Sequence, residues 1–429
     1  MPDRIHFRIS LRATLAVWIA SALTSFLPVS PSWAQGNAAF SDWLTGVRQE
    51  ALARGIRAEI FDAALSNAIP IERVIEFDRR QPEFLDTFWN YLDRRVTPGR
   101  IEAGRARLRE HAALFAEIES RYRVPARFLV AFWGLETNYG GHLGGFSVPR
   151  ALATLAFEGR RGEFFRAELL RALEILEAGH VAPGAMVGSW AGAMGQMQFM
   201  PSTFVHHAVD GDGDGRIDLW ESVPDAMASA GNFLRALGWR ESEPWGREVR
   251  LSAGFDVRHS GLDVKKDLAE WATLGVTQAD GKPLPKADLR AALILPQGHA
   301  GPAFLVYRNF EIILSWNRSI HYALTVGHLA DRLVGLPPLT SGRGADNRRM
   351  SVAQGVELQI RLARLGYDPG EADGVMGART RAAIRAYQID RGLPGDGFAS
   401  IDLLERLREE TPALAMPPRQ DDMDGGRAG

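Results

Sequence analysis

The sequence predicts a mainly α protein of the α+β class: a large helical unit carrying a small β insertion, followed by a separate small helical unit. Three observations predict it. Apolar residues recur at helical spacing through most of the chain. Residues 246–296 break that rhythm with shorter, turn-rich segments. The stretch "LPPLTSGRGADNRRMS" (Leu336 to Ser351), rich in Pro, Gly and polar residues, reads as a linker at 337–351 before the helical pattern resumes.

The elements follow in chain order. Arg4, Arg8 and Arg12 precede the apolar "ATLAVWIASALTSFLPV", and "PSWAQG" offers Ser32 and Ala34 as the small residues before a cut. Residues 1–34 therefore read as a cleaved signal peptide. The apolar run is shorter than the roughly 20 residues that a membrane span needs. The large unit covers 36–336. Within "FLVAFWGLETNYGG" (Phe128 to Gly141), a helix opened by Pro125 runs to about Asn138 and stops at Gly140-Gly141. "FFRAELLRALEILEAG" (Phe164 to Gly179) and "PDAMASAGNFLRALGW" (Pro224 to Trp239) are further helices, the first stopped by Gly179 and the second opened by Pro224. "REVRLSAGFDV" and "RAALILP" supply strands of the β insertion. Over 352–409, Leu358, Leu362 and Leu365 recur at helical spacing, as do Ala383, Ala386 and Tyr387. Residues 410–429 have the composition of a disordered tail.

Composition excludes several classes of function. With 46% hydrophobic and 24% charged residues the chain is an ordinary globular protein, and 429 residues suffice for two domains. Its net charge is -2 and no basic block occurs, which argues against nucleic acid. It has no cysteine, so disulfides, thiolate metal sites, cysteine nucleophiles and a lipidated cysteine anchor are all excluded.

The chemistry centres on Glu136, the lone acid closing the apolar run that ends in Tyr139-Gly140-Gly141. In the last turn of its helix it shares a face with Phe132 and Trp133. Apolar neighbours and the negative helix end both favour its neutral, protonated form, which a general acid requires. A second stretch, "SWAGAMGQMQFMPSTF" (Ser189 to Phe204), is rich in Gly, Ala and Met. Its small residues allow close approach of a ligand, and Gln196 and Gln198 offer neutral donors and acceptors suited to sugar hydroxyls and amides. Trp133 and Trp190 lie inside these two stretches and could meet sugar faces. His206-His207 reads as a surface pair.

"GLETNYG" followed by "SWAGAMGQMQFMPSTF" resembles the lytic murein transglycosylases of the B type, and "RRGEFF", "DGDGDGRIDLW" and "WNRSIHYAL" extend the resemblance over the large unit. It implies a lysozyme-like fold and cleavage of the glycan strands of peptidoglycan between N-acetylmuramic acid and N-acetylglucosamine, with a 1,6-anhydro product. Glu136 then matches the acid/base, and Ser189 the residue orienting its carboxylate. Gln198 matches a sugar-contacting glutamine, Arg160 and Arg161 an arginine pair near the glycopeptide, and Tyr322 an aromatic lining the site. Asn317 and Ser319 fall in the same motif as Tyr322. "LGY…DGVMGARTRAAIRAYQIDRGL" resembles the three-helix peptidoglycan-binding domain, implying a tether to the polymer. The cleaved signal peptide predicts export to the periplasm. Without a cysteine the lipid anchor of other members does not carry over, and a monomer is expected.

"DGDGDGRIDLWE" (Asp210 to Glu221) fits the twelve-residue calcium loop of an EF-hand. Asp210, Asp212 and Asp214 take positions one, three and five, with Arg216 offering its carbonyl, Asp218 at nine and Glu221 closing. Hard carboxylate oxygens suit Ca²⁺, in a structural role. The resemblance implies a later closing carboxylate, which here is Asp225. Two rival readings remain: a muramidase using water as nucleophile, and a non-catalytic wall-binding scaffold.

Overall fold

The computed structural model of the chain describes residues 32–80, 86–343 and 347–412. Most of the signal-like segment and nearly all of the C-terminal tail lie outside the described residues.

The large unit begins with α1 (Ser32–Ala53), α2 (Ala58–Leu65) and α3 (Glu72–Arg80), followed by α4 (Phe88–Arg95), α5 (Pro98–Glu110), α6 (Ala112–Tyr122) and α7 (Ala126–Thr137). A short ribbon of β1 (Phe146–Ser147) and β2 (Val187–Gly188) brackets α8 (Val148–Glu158) and α9 (Gly162–Glu177). Next come α10 (Pro201–His207) and α11 (Val223–Ala236). The β insertion holds β3 (Gly246–Leu251), β4 (Lys265–Asp267), α12 (Leu268–Thr273), β5 (Val276–Gln278), β6 (Arg290–Ile294) and β7 (Ala303–Val306). Helices α13 (Arg308–Trp316) and α14 (Ile320–Leu333) return to the helical body. Helices α15 (Val352–Arg364), α16 (Ala378–Asp390) and α17 (Ile401–Glu410) form the small C-terminal unit.

Three hydrophobic clusters underlie this layout. The largest joins α1 to α14 around fully buried side chains such as Phe40, Phe132, Leu152 and Phe310. A second, around Trp271, Leu293 and Leu305, backs the five-stranded antiparallel sheet, whose order is β4-β6-β7-β3-β5. A third, around Leu358, Leu362, Ile384, Tyr387 and Leu404, belongs to α15–α17 alone. Ala386, expected on that inner face, points outward.

The sheet is more extensive than the sequence suggested. The segment "REVRLSAGFDV" leaves the strand at Leu251 and turns into a short 3₁₀ helix at Val257–His259. Strand β7 lies beyond residue 296 and pairs with both β3 and β6, completing the middle of the sheet.

Helix α7 lies between α5 and α14. Pro125 is its N-cap and Asn138 its left-handed C-cap at φ 52°. The stop therefore comes two residues before the first of the two glycines expected to provide it. Asn tolerates this conformation better than most residues. Tyr139 then folds back beneath the helix, and a Cβ on Gly134 would meet its ring at 2.7 Å. The Tyr139 hydroxyl donates to the Arg100 carbonyl at 2.7 Å, pinning the end of α7 to the start of α5.

The 337–351 segment is not a loose tether over its last residues. Asn347 accepts from Thr87 Oγ1 at 2.6 Å and from Gln297 Nε2 at 3.2 Å, and donates to Asn90 Oδ1 at 3.1 Å. Arg343 pairs with Asp93 on α4. The C-terminal unit is fastened as well, because Asp396 accepts from both the backbone N–H and Nδ1 of His299 at 2.8 Å.

Candidate active site

Glu136 sits in the last turn of α7, partly buried. Its Oε1 accepts from two donors on other helices. One is Trp316 Nε1 at 3.0 Å, from the last residue of α13, and the other is the Tyr322 hydroxyl from the first turn of α14. An indole N–H can only donate. Both donors therefore fall on the same carboxyl oxygen. Phe132, one turn before Glu136, stacks on Trp316 with centroids 4.4 Å apart, and Phe199 and Phe233 close on the same indole at 5.4 and 5.3 Å. The acid thus lies beside an aromatic wedge. Trp133, the other proposed neighbour, is only 2% exposed. It belongs to the core and cannot offer a face to a sugar.

Tyr322 is buried, and its phenol is pushed well above the ordinary value by that burial and by the negative charge of Glu136. It remains a donor across the working pH range. Asn317 and Ser319 build the turn that delivers it. Asn317 Oδ1 accepts from the Ser319 N–H at 3.2 Å, and Ser319, the N-cap of α14, accepts from the Tyr322 N–H at 3.2 Å. These bonds explain both polar side chains through local structure.

The loop from Ser189 to Phe204 is a compact knot, with Met194 bridging Gly188 and Phe199. Ser189 Oγ accepts from the N–H groups of Ala191 and Ala193 at 3.3 and 3.0 Å, so it shapes its own turn. The described donors to Glu136 Oε1 come from α13 and α14 instead. Gln198, at φ 49°, donates from Nε2 to the carbonyls of Leu143 and Gly195 at 3.1 and 2.9 Å. Its amide N–H groups thus tie the loop to the segment that follows α7. Gln196 is buried and donates to the Trp220 carbonyl at 3.2 Å. Thr137 Oγ1 donates to the Gln196 carbonyl at 2.8 Å, joining this loop to the end of α7. Trp190 is partly buried near Phe77, with centroids 6.2 Å apart.

Arg160 and Arg161 both converge on Asp78 of α3. Arg160 donates from Nε and Nη2 at 2.9 Å, and Arg161 from Nη2 at 2.8 Å. Burial works to raise the Asp78 carboxyl, but the two guanidinium groups outweigh it and hold it below its ordinary value. Two guanidinium groups share one carboxylate, so the pair keeps a net positive charge on half-exposed side chains.

In the acidic loop, oxygens of Asp210, Asp212 and Asp214 lie within 4.8 Å of one another, the spacing and donor chemistry of a hard divalent cation. Asp210 is held low chiefly by the Gly215 N–H. Glu221, expected to close the loop, is exposed and outside this cluster. Asp225 is 1% exposed and turns inward, accepting from the N–H groups of Gly211 and Asp218 at 2.7 and 2.6 Å. Asp218 is engaged by the Arg216 guanidinium at 3.0 Å and by the N–H groups of Trp220 and Glu221. His206 is exposed, and His207 packs on Phe233.

A helical body with one carboxylic acid held by two donors, joined to a compact three-helix unit, defines a lysozyme-like glycan-cleaving enzyme with an accessory module. The transglycosylase SLT domain matches residues 39–331, and the peptidoglycan-binding domain matches residues 353–407. The chain belongs to the transglycosylase SLT family. The membrane-bound lytic murein transglycosylase B of Escherichia coli is 31% identical over 285 residues, 66% of this chain and 76% of that protein. SltB3 of Pseudomonas aeruginosa, solved with NAG-anhNAM-pentapeptide, is 49% identical with a TM-score of 0.83, covering 86% of this chain and 99% of that one. Escherichia coli SLT35, solved with calcium, is 28% identical with a TM-score of 0.59, covering 67% of this chain and 92% of that one.

Proposed function

We propose that the chain is a lytic transglycosylase that cuts the bond between N-acetylmuramic acid and N-acetylglucosamine in peptidoglycan. The carrying observation is Glu136, whose Oε1 takes donors from Trp316 and Tyr322. In its protonated form, Glu136 gives its proton to the glycosidic oxygen. The N-acetyl group of the muramic residue supports the oxocarbenium-like centre, as in substrate-assisted glycosidases. The Glu136 carboxylate then takes the proton of the muramic 6-hydroxyl, which closes on the anomeric carbon. Atoms balance without water, and the product is a 1,6-anhydro sugar. The NAG-anhNAM ligand of SltB3 supports this outcome over hydrolysis.

The test is mass spectrometry of purified peptidoglycan digested by the wild-type chain and by Glu136→Gln. Anhydro-muropeptides are expected from wild type alone. Hydrated, reducing ends would establish a muramidase instead. Binding without cleavage by either protein would leave a scaffold.

The acidic loop supports Ca²⁺ held by Asp210, Asp212 and Asp214, with Asp225 bracing the loop from inside and not Glu221 closing it. The ion would neutralise the three clustered carboxylates and fix the loop between α10 and α11. The calcium complex of SLT35 is in keeping with this. At a Ca²⁺ concentration 100 times its dissociation constant, stabilisation is about 2.7 kcal/mol. Scanning calorimetry should show a melting temperature that rises with Ca²⁺, and Asp210→Asn with Asp212→Asn should abolish the rise. The composition of residues 1–34 supports export to the periplasm. Among the described residues no helix is long and apolar enough to cross a membrane.

A further inference from the structure

An open cavity of about 510 Å³ lies against α4, the start of α5 and the end of α7. Its wall carries four arginines: Arg94, Arg95, Arg100 and Arg349. Among the described residues Asp86 is the one carboxylate of that wall, and Arg94 already pairs with it. Among the described residues, neither Arg95 nor Arg100 has a carboxylate partner. Arg95 lies over the Tyr91 ring, 3.6 Å from its centroid. Arg100 donates from Nη1 to the Arg95 carbonyl at 2.7 Å, and its Nε is buried without an acceptor. Cations gathered this closely repel one another, and an anion between them would relieve the repulsion. The guanidinium of Arg100 responds accordingly: burial first, and Arg95 with it, hold it below its ordinary value.

The cavity adjoins the chemistry. Leu135, which lines it, immediately precedes Glu136. Tyr91, also in its wall, lies close enough to Tyr322 to oppose the ionisation of that phenol. Arg100 is tied to the end of α7 through the Tyr139 hydroxyl. The arginine pair that the resemblance associates with the substrate, Arg160 and Arg161, shares Asp78 between its two guanidinium groups. Peptidoglycan supplies a fitting anion. Its muramic residues carry stem peptides with free carboxylates, which guanidinium forks bind bidentately.

We propose that this cavity binds carboxylates of the stem peptide borne by the muramic residue at the cleavage point, so that the enzyme selects peptide-bearing strands. The proposal rests on the transglycosylase reading of the same site. Its test uses the full chain and glycan strands of one length, either with their stem peptides or stripped of them by an amidase. Wild type should prefer peptide-bearing strands by roughly tenfold in kcat/KM. The pair Arg95→Gln with Arg100→Gln should bring that ratio close to one, chiefly through KM, and the lysine variants should restore part of it. Arg349→Gln, in the segment before α15, should lower the ratio as well, and it serves if the pair fails to fold. An unaltered ratio, or an equal loss on both strands, would overturn the proposal. Calorimetric titration of a free stem tetrapeptide into Glu136→Gln reads the cavity without cleavage. Binding that weakens with salt and with the arginine variants is expected, and no binding would overturn the proposal. If wild type cleaves neither strand while the peptide still binds, the transglycosylase reading fails and the cavity assignment stands.

Discussion

At the residue scale, Glu136 depends on groups that sequence spacing does not bring near it. Trp316 and Tyr322 lie 180 and 186 positions away, and they meet it only because α13 and α14 return against α7. Tyr322→Phe removes one donor while leaving the ring in its buried place. Losing a preorganised donor at the reacting group should lower kcat by roughly ten- to a hundredfold. KM should change little, since the phenol is below the surface that a strand touches. Steady-state kinetics on soluble strands checks this, and a large change in KM with kcat intact would mean that Tyr322 binds sugar directly. The sequence showed the acid itself, because an isolated carboxylate closing an apolar run is visible in one dimension. It marked Tyr322 through a resemblance, and it left Trp316 as one letter of a motif. Ser189 and Gln198 stood out for the same reason of motif; in the structure Ser189 Oγ accepts from two N–H groups of its own loop, and Gln198 Nε2 donates to the carbonyls of Leu143 and Gly195. Residue type reveals what a side chain can donate or accept, whereas its actual partner is a property of the fold.

At the element scale, α14 carries the greatest burden. It supplies Tyr322 to Glu136, and it also buries His328 and Asp331. Gly327 permits the packing, since a Cβ there would meet the Trp245 ring at 2.2 Å. Burial, reinforced by Arg332 and opposed by Glu248, lowers His328 from its ordinary 6.5 to about 4. As pH falls, the unfolded chain takes up this proton first. The contribution of His328 is therefore undiminished above pH 6.5, is lost between 6.5 and about 4, and changes no further below that. The loss amounts to at most about 3 kcal/mol. Melting temperatures measured across this window should fall, and His328→Gln should flatten the fall. An equally steep decline in the variant would assign the acid sensitivity to other groups. The helices were legible because their apolar period and their Pro openings are local signals. The middle of the sheet was not. Strand β7 is buried on both faces and reads as a short apolar run without alternation, which cannot be told from a buried helix by pattern alone.

At the scale of the whole molecule, what matters is how firmly the small C-terminal unit is held to the large one. Composition suggested a linker, and Pro, Gly and polar residues say nothing about docking. In the structure Asn347 fastens that segment through three side-chain bonds to Thr87, Asn90 and Gln297, and His299 holds Asp396 beyond it. A tether held in register does more than raise local concentration. It sets a fixed path between the place where the polymer is gripped and the place where it is cut. A loose tether would leave a long strand free to sample many registers before reaching Glu136. Asn347→Ala tests this difference with one amide. Leaving the partners of that amide unsatisfied should cost roughly 1–3 kcal/mol of local docking energy. The segment at 337–351 should then be cut faster in limited proteolysis while the global melting transition is retained. Turnover of long strands should fall, and turnover of strands too short to span both units should not. An equal loss on short and long strands would mean that Asn347 acts through α4 on the catalytic cleft rather than through the path between the two units.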